Sequence, residues 1–231
     1  MNDRKKLVLA SQSPRRRELI GLLGIPFQSM SADVDESLRP NEDPAKYVLR
    51  LAELKARTCY SEASPMVLAA KKDDLVFIGS DTAVVADGVI LGKPKDERDA
   101  LQMLHQLRGR THQVFTAIAL FDAASEKVVT ELSISDVPMR DYSDAEIESY
   151  VASGDPLDKA GSYAIQNDAF HPVENFNGCY ASVMGLPLCH LTRALKKMGI
   201  TPATNVPAQC QANLAYDCSI YNAVLRDENL E

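Results

Sequence analysis

The sequence predicts a mixed α/β fold, and three observations predict it. Apolar runs of strand length stand at Lys6 to Ala10, Leu75 to Ile78, Val114 to Phe121 and Val128 to Val137. Segments with apolar residues at helical spacing lie between and after them. The runs on either side of Asp122 to Lys127 read as paired strands, and Ala83 to Leu91 turns through Asp87-Gly88 as a second hairpin. Strands interleaved with helices, together with hairpins, make a mixed sheet.

Taken in order, Lys6 to Ala10 is a short buried strand. Ser13 then caps a helix with Pro14 at its first position, and Leu19, Leu22 and Leu23 form its apolar face. Gly24 stops that helix, and Pro26 opens an extended segment to Met30. Residues 44–58 form a second helix, with Tyr47, Val48, Leu51 and Leu54 on one face. Leu75 to Ile78 is a buried strand, and Glu97 to Leu107 is helical. Ser143 caps a further helix with Asp144 and Glu146 at its positive end. A loop-rich stretch over 153–187 ends at Gly185-Leu186-Pro187, and Leu188 to Met198 forms the last helix of a domain over residues 1–201. Residues 202–231 read as a peripheral tail with local helix.

Composition narrows the function. The 231 residues are 45% hydrophobic and 25% charged, an ordinary globular balance, with no repeat or low-complexity segment. The net charge of −7 opposes polyanions, which argues against a nucleic-acid polymer or an anionic membrane as partner. The absence of Trp weakens base stacking on a single strand. No apolar run approaches the roughly 18 residues of a membrane span. Leu7 to Ala10 is too short for a signal-peptide core, so a cytoplasmic protein is expected. Five cysteines with no C-x-x-C pair point to free thiols.

Three groups of residues could carry chemistry. Ser11-Gln12-Ser13-Pro14-Arg15-Arg16-Arg17 lies where a strand turns into a helix, a common ligand position in open α/β sheets. Cations in a first helical turn are unfavourable by roughly 0.3–1 kcal/mol each. An anion such as phosphate would neutralise them, and a solvated helix end is the other account, with Arg17 the surface residue. The acids Asp33-Val34-Asp35-Glu36 and Asp81 form the second group; they either hold a divalent cation and activate water or are polar loop and turn residues. Asp81 follows the 75–78 strand, which would place it at the sheet's edge. Lys55, Lys93 in Gly92-Lys93-Pro94, and Lys159 in Asp158-Lys159-Ala160-Gly161 form the third; each is either a ligand or a solvated charge. His105, His112, His171 and His190 lack metal-ligand spacing, and no Walker A or dinucleotide-binding loop is present.

Several motifs occur together in a familiar order: Leu9-Ala10-Ser11-Gln12-Ser13-Pro14-Arg15-Arg16-Arg17-Glu18-Leu19, Asp35-Glu36, Leu51-Ala52 with Lys55-Ala56, Gly79-Ser80-Asp81-Thr82, Gly92-Lys93-Pro94, Asp158 to Gln166, and Ser182 to Leu188. Over roughly residues 7 to 200 the chain resembles the Maf family of nucleoside triphosphate pyrophosphatases, described also as septum-formation inhibitors. The resemblance implies two lobes around a cleft, in a fold related to inosine triphosphatase. It implies hydrolysis of a nucleoside triphosphate between the α and β phosphates, with Mg²⁺ or Mn²⁺ as cofactor, by a homodimer. The residue matching Asp81 is then the proton acceptor. Ser11, Arg15, Arg16, Lys55 and Lys93 hold the phosphates, with Glu36 at the metal. Arg15, Thr82 and Gln166 match the branch that acts on dTTP and UTP. Gln166 offers an amide suited to a pyrimidine imide edge, and Thr82 adds a hydroxyl. The alternatives are a 7-methyl-GTP or other modified-nucleotide pyrophosphatase, and a nucleotide-binding regulator of cell division. The chain departs from the family after Gln166, where Asn167-Asp168-Ala169-Phe170-His171 replaces a glycine-rich turn.

Overall fold

The computed structural model describes residues 5–63 and 75–228. Strand β1 (Lys6–Ala10) leads into α1 (Pro14–Gly21), capped as expected: the Ser13 hydroxyl accepts from the Arg16 N–H, and Pro14 opens the helix. Strand β2 (Phe27–Met30) pairs in parallel with β1. Helix α2 spans Pro44–Glu62 and is followed by β3 (Leu75–Ala86) and β4 (Val89–Leu91). Asp87 and Gly88 both take positive φ, as the two central residues of a tight hairpin require. Helix α3 (Glu97–Leu107), strands β5 (Thr111–Asp122) and β6 (Val128–Pro138), and α4 (Asp144–Ala152) follow. Ser143 and Glu146 close a reciprocal capping box on α4. Two 3₁₀ turns and the short α5 (Tyr180–Val183) break up the loop-rich stretch before α6 (Leu188–Lys197).

The sheet runs β2-β1-β3-β5-β6, with β4 beside β3. β1 and β3 are parallel; β3 pairs antiparallel with both β4 and β5. Each face carries its own core. Val8, Phe77, Ala83, Val85, Ala117 and Ala119 face α2, which lays Val48, Ala52, Ala56 and Cys59 against them. On the opposite face Leu7, Leu9, Ile78, Val84 and Ile118 pack against α1, α3, α4 and α6 in the largest core.

Two expectations change. The apolar face of α2 is Val48, Leu51, Ala52, Lys55, Ala56 and Cys59, so Lys55 takes a place in the buried stripe while Tyr47 and Leu54 are only half-buried. Strand β3 does not stop at Ile78 but continues to Ala86, which puts Asp81 in the middle of the central strand.

The register also opens a gap. β1 pairs with β3 only as far as Ile78, and β4 begins to pair at Val84. Between those points β3 is hydrogen-bonded on its β5 side, and among the described residues no strand pairs with its other side. Asp81 and Thr82 sit on that local edge.

Residues beyond 201 form α7 (Val206–Leu214) and α8 (Tyr221–Leu225), with Val206 and Val224 buried. Arg193 of α6 donates to the Val224 carbonyl at 2.9 Å and pairs with Asp227 at 2.6 Å. Residues 229–231 of the expected tail, Glu231 among them, lie outside the described residues. All five cysteines are free thiols. Among the described residues no helix is long and apolar enough to cross a membrane.

Candidate active site

A cleft of about 780 Å³ fills the gap beside β3. Its walls are the end of β1 and the first turn of α1, the loop before α2, the turn after β4, and the segments 158–166 and 183–185. Its size lies within the roughly 300–1,000 Å³ common for small-molecule sites. Ser11, Arg15, Arg16, Glu36, Lys55, Asp81, Thr82, Lys93 and Gln166 all line it. Residues scattered over 156 positions of chain are therefore brought together. Arg17 is exposed and does not line it, and neither do Asp35 or the four histidines.

Because successive strand residues face opposite ways, Asp81 and Thr82 leave β3 on different faces. Asp81 points towards α2, where Lys55 donates to its Oδ1 at 2.6 Å. The same ammonium lies 2.6 Å from Glu36 Oε1. Asp81 and Lys55 are buried, whereas the Glu36 side chain is half-exposed to the cleft. Glu36 is held there by its loop: Tyr47 Oη donates to its carbonyl at 2.9 Å, and Arg50 clamps Glu42 at 2.6 and 2.7 Å.

The two carboxyls are pushed in opposite directions. Burial raises the pKa of Asp81, and the opposing pull of Lys55 and Arg16 does not cancel it. Partial burial works upward on Glu36 too, but the Lys55 hydrogen bond and the charges of Lys55, Lys93 and Arg16 outweigh it, so its pKa falls. Two carboxyls driven apart this way divide the labour: the one with higher proton affinity exchanges protons and the other stays anionic.

Lys55→Met therefore has a definite expected result. Without the ammonium, Asp81 binds its proton more tightly, so the acid limb of any activity that needs the carboxylate moves to higher pH. Stability follows the same sign. A carboxyl whose folded pKa lies above its unfolded value favours the folded state below the unfolded pKa, and that contribution is lost as pH rises through the folded value. The variant should lose stability most near neutrality and regain it on acidification, read as Tm against pH. An unchanged profile would show that Lys55 does not govern Asp81.

On the other face Arg16 Nε donates to the Gly185 carbonyl at 2.9 Å, and its Nη2 donates to Thr82 Oγ1 at 3.2 Å. Burial disfavours the Arg16 charge, with Asp81 working the other way, and an anion in the cleft would relieve that cost. The side chains of Arg15 and Lys93 make no hydrogen bond or ion pair among the described residues, and Lys93 is exposed. Three cations thus face a cleft from an acidic chain. Lys159 also lines it, but its ammonium is tied to Asp158 at 2.7 Å and Asp155 at 3.1 Å.

Tyr163, Ala164 and Ile165 form an apolar wall beside Gln166. The atypical turn after Gln166 is closed by Asn167, which accepts from the Phe170 N–H at 2.8 Å and donates to Asp155 at 3.2 Å. Phe170 stacks on Tyr150 with ring centroids 4.2 Å apart. Sequence reasoning missed Tyr163, Thr116 and the accepting carbonyl of Gly185. The only signal for Thr116 was a polar residue in the apolar run Val114 to Phe121.

Among the described residues no group of three or more His, Cys, Asp or Glu side chains is arranged to hold a metal ion. Asp33, Glu36, Asp81 and Asp158 line the cleft, and the second oxygens of Asp81 and Glu36 accept no hydrogen bond among the described residues. That donor set fits a hard cation such as Mg²⁺, which commonly takes one or two carboxylates and completes its shell with water and substrate phosphates.

Known proteins share this arrangement of sequence. A dTTP/UTP pyrophosphatase of Hahella chejuensis is 49% identical over 197 residues, covering 85% of this chain and 94% of the relative. Proteins of the same name from Geotalea uraniireducens and Dictyoglomus turgidum are 42% and 43% identical, covering 86% and 85% of this chain and 98% and 97% of theirs. The solved Staphylococcus aureus Ham1 protein aligns with 91% of this chain and 98% of its own at 14% identity and a TM-score of 0.44. The family model described as Maf-like protein matches residues 6–198, and the chain belongs to that family.

Proposed function

We propose that this chain is a nucleoside triphosphate pyrophosphatase that hydrolyses dTTP and UTP to the monophosphate and pyrophosphate. The observation that carries the reading is the edge of β3, where a carboxyl of raised proton affinity stands beside a half-exposed carboxylate and the side chains of Arg15 and Lys93, which make no hydrogen bond or ion pair among the described residues. The name shared by the relatives gives the substrates their first support.

In this reading Asp81 takes a proton from water as that water attacks the α-phosphorus, and pyrophosphate leaves. Burial makes Asp81 a stronger base than a surface carboxylate. The Lys55 hydrogen bond orients it. Arg15, Arg16 and Lys93 hold the triphosphate and take up charge on the leaving group, with Ser11 at the start of the phosphate-binding turn. Glu36 would hold a divalent cation together with substrate oxygens; when bound, that ion neutralises phosphate charge. At the other end Gln166 faces the pyrimidine edge, and Tyr163 to Ile165 supply an apolar wall. The same reading carries a homodimer in the cytoplasm, acting on a small molecule, with no membrane or nucleic-acid polymer as partner.

A panel of nucleoside triphosphates with pyrophosphate detection tests the reading. dTTP and UTP should be turned over, chelation should abolish turnover, and Mg²⁺ or Mn²⁺ should restore it. Strong turnover of 7-methyl-GTP with none of dTTP would overturn the specificity. Full activity in a chelator would remove the metal from the scheme.

A further inference from the structure

Thr82 and Thr116 stand directly opposite each other in the antiparallel pairing of β3 with β5. Their hydroxyls are 3.0 Å apart. Thr82 Oγ1 also receives a hydrogen bond from Arg16 Nη2 at 3.2 Å, and Thr116 Oγ1 donates to the Ser182 carbonyl at 2.8 Å. A guanidinium only donates and a carbonyl only accepts, while each hydroxyl has a single proton. One assignment satisfies all three contacts. Arg16 donates to Thr82, Thr82 donates to Thr116, and Thr116 donates to Ser182.

This has a consequence for Thr82. Its proton is committed to Thr116 and one of its two lone pairs to Arg16, so it enters the cleft only as an acceptor. Thr116 is fully buried and does not line the cleft, so it touches no ligand. The other branch of the Arg16 fork rests on the Gly185 carbonyl, which Ser80 Oγ also holds at 2.8 Å. Two of the five guanidinium N–H groups are thus fixed on the protein, and three remain for a ligand.

The geometry points to Thr82 and Thr116 as positioning residues for Arg16: a directed hydroxyl chain aims the guanidinium at the triphosphate. This deepens the pyrophosphatase reading and rests on it for the kinetic arm of the test alone.

The binding arm uses inorganic triphosphate, measured by calorimetry on the full chain. Thr116→Val keeps the shape of the side chain and removes the hydroxyl. Because the lost bond orients a charged group, affinity should fall roughly tenfold. Thr116→Ser should restore it. In an Arg16→Ala background Thr116→Val should change affinity no further, an outcome that a merely structural role would not produce. In the kinetic arm, Thr82→Val and Thr116→Val should each lower kcat/KM for dTTP and UTP. Should Thr116→Val fail to fold, Thr82→Val in the wild-type and Arg16→Ala backgrounds decides the same question.

Unchanged triphosphate affinity in the folded single variants overturns the proposal. So does an undiminished loss in the Arg16→Ala background, or no triphosphate binding by the wild type. Unchanged kcat/KM in folded Thr116→Val overturns it as well. If the wild type hydrolyses no nucleoside triphosphate, the pyrophosphatase reading falls, and the binding arm still decides the hydroxyl chain.

Discussion

Asp81→Asn should lower kcat for dTTP and UTP by about a hundred- to ten-thousandfold, the usual contribution of a positioned base, and leave the fold intact. The substitution keeps the shape of the side chain and an oxygen that can accept from Lys55, which also retains Glu36 at 2.6 Å. It removes a buried charge, so the folded state loses an electrostatic cost as well as an ion pair. The loss should fall on kcat more than on KM, because Arg15, Arg16 and Lys93 still hold the phosphates. In the wild type, kcat/KM should fall on the acid side through the Asp81 pKa, which burial places above the ordinary carboxylate value of 3.8. The variant should lack that limb. Wild-type turnover in Asp81→Asn would remove it from the base role, and a large drop in Tm would show that the carboxylate serves the fold.

Arg15, Arg16, Lys93 and Asp81 were legible as candidates because each lies in a short local motif, with arginines behind a capping serine, a lysine between glycine and proline, and an acid after a buried run. Thr82 and Gln166 entered only through the family resemblance. The convergence of these residues was not legible, because it depends on register. Where β1 stops pairing and β4 begins is set across the sheet, and local sequence does not record it. Gly79-Ser80-Asp81-Thr82 breaks an apolar run and so reads as the strand's end. In the structure the strand tolerates these residues because the one Ser80 hydroxyl proton lies between the Gly185 carbonyl at 2.8 Å and the Ala117 carbonyl at 3.0 Å, and the open edge faces the cleft. Lys55 was misplaced for a related reason. Leu54 and Lys55 both fit helical spacing with Leu51, and the structure buries the stripe of Val48, Leu51, Ala52, Lys55, Ala56 and Cys59, in which Lys55 meets Asp81. Thr116 is an ordinary strand residue until its partner across the sheet is known. The alternating hairpins and the capped helices α1 and α4 depend only on near neighbours, and they were readable throughout.

The close approach of α2 to β3 leads to the second large effect. A Cβ at Gly79 would lie 2.0 Å from the Ala52 carbonyl oxygen and 2.8 Å from the Ala56 nitrogen. Both are backbone atoms, so no side chain can swing aside, and the helix itself must retreat. Overpacking in a core costs about 1–3 kcal/mol where neighbours can relax, and here relaxation means separating Val48, Ala52 and Ala56 from the sheet. Gly79→Ala should therefore cost about 3 kcal/mol or more, a fall in Tm of roughly 6–12 °C for a chain of this size. Gly88→Ala is the control. A Cβ there meets nothing within 4 Å, and only its positive φ of 76° resists, at about 1 kcal/mol. The Gly79 effect also reaches the chemistry, because Gly79 and Asp81 face α2 from the same side of β3 and Lys55 belongs to the turn that must move. Molecules of Gly79→Ala that fold should carry Lys55 farther from Asp81 and show the upward shift of the acid limb expected of Lys55→Met. A Tm within 1–2 °C of wild type would mean that α2 has slack the contact distances deny, and a destabilised variant with an unmoved acid limb would separate the packing of α2 from its hold on Asp81.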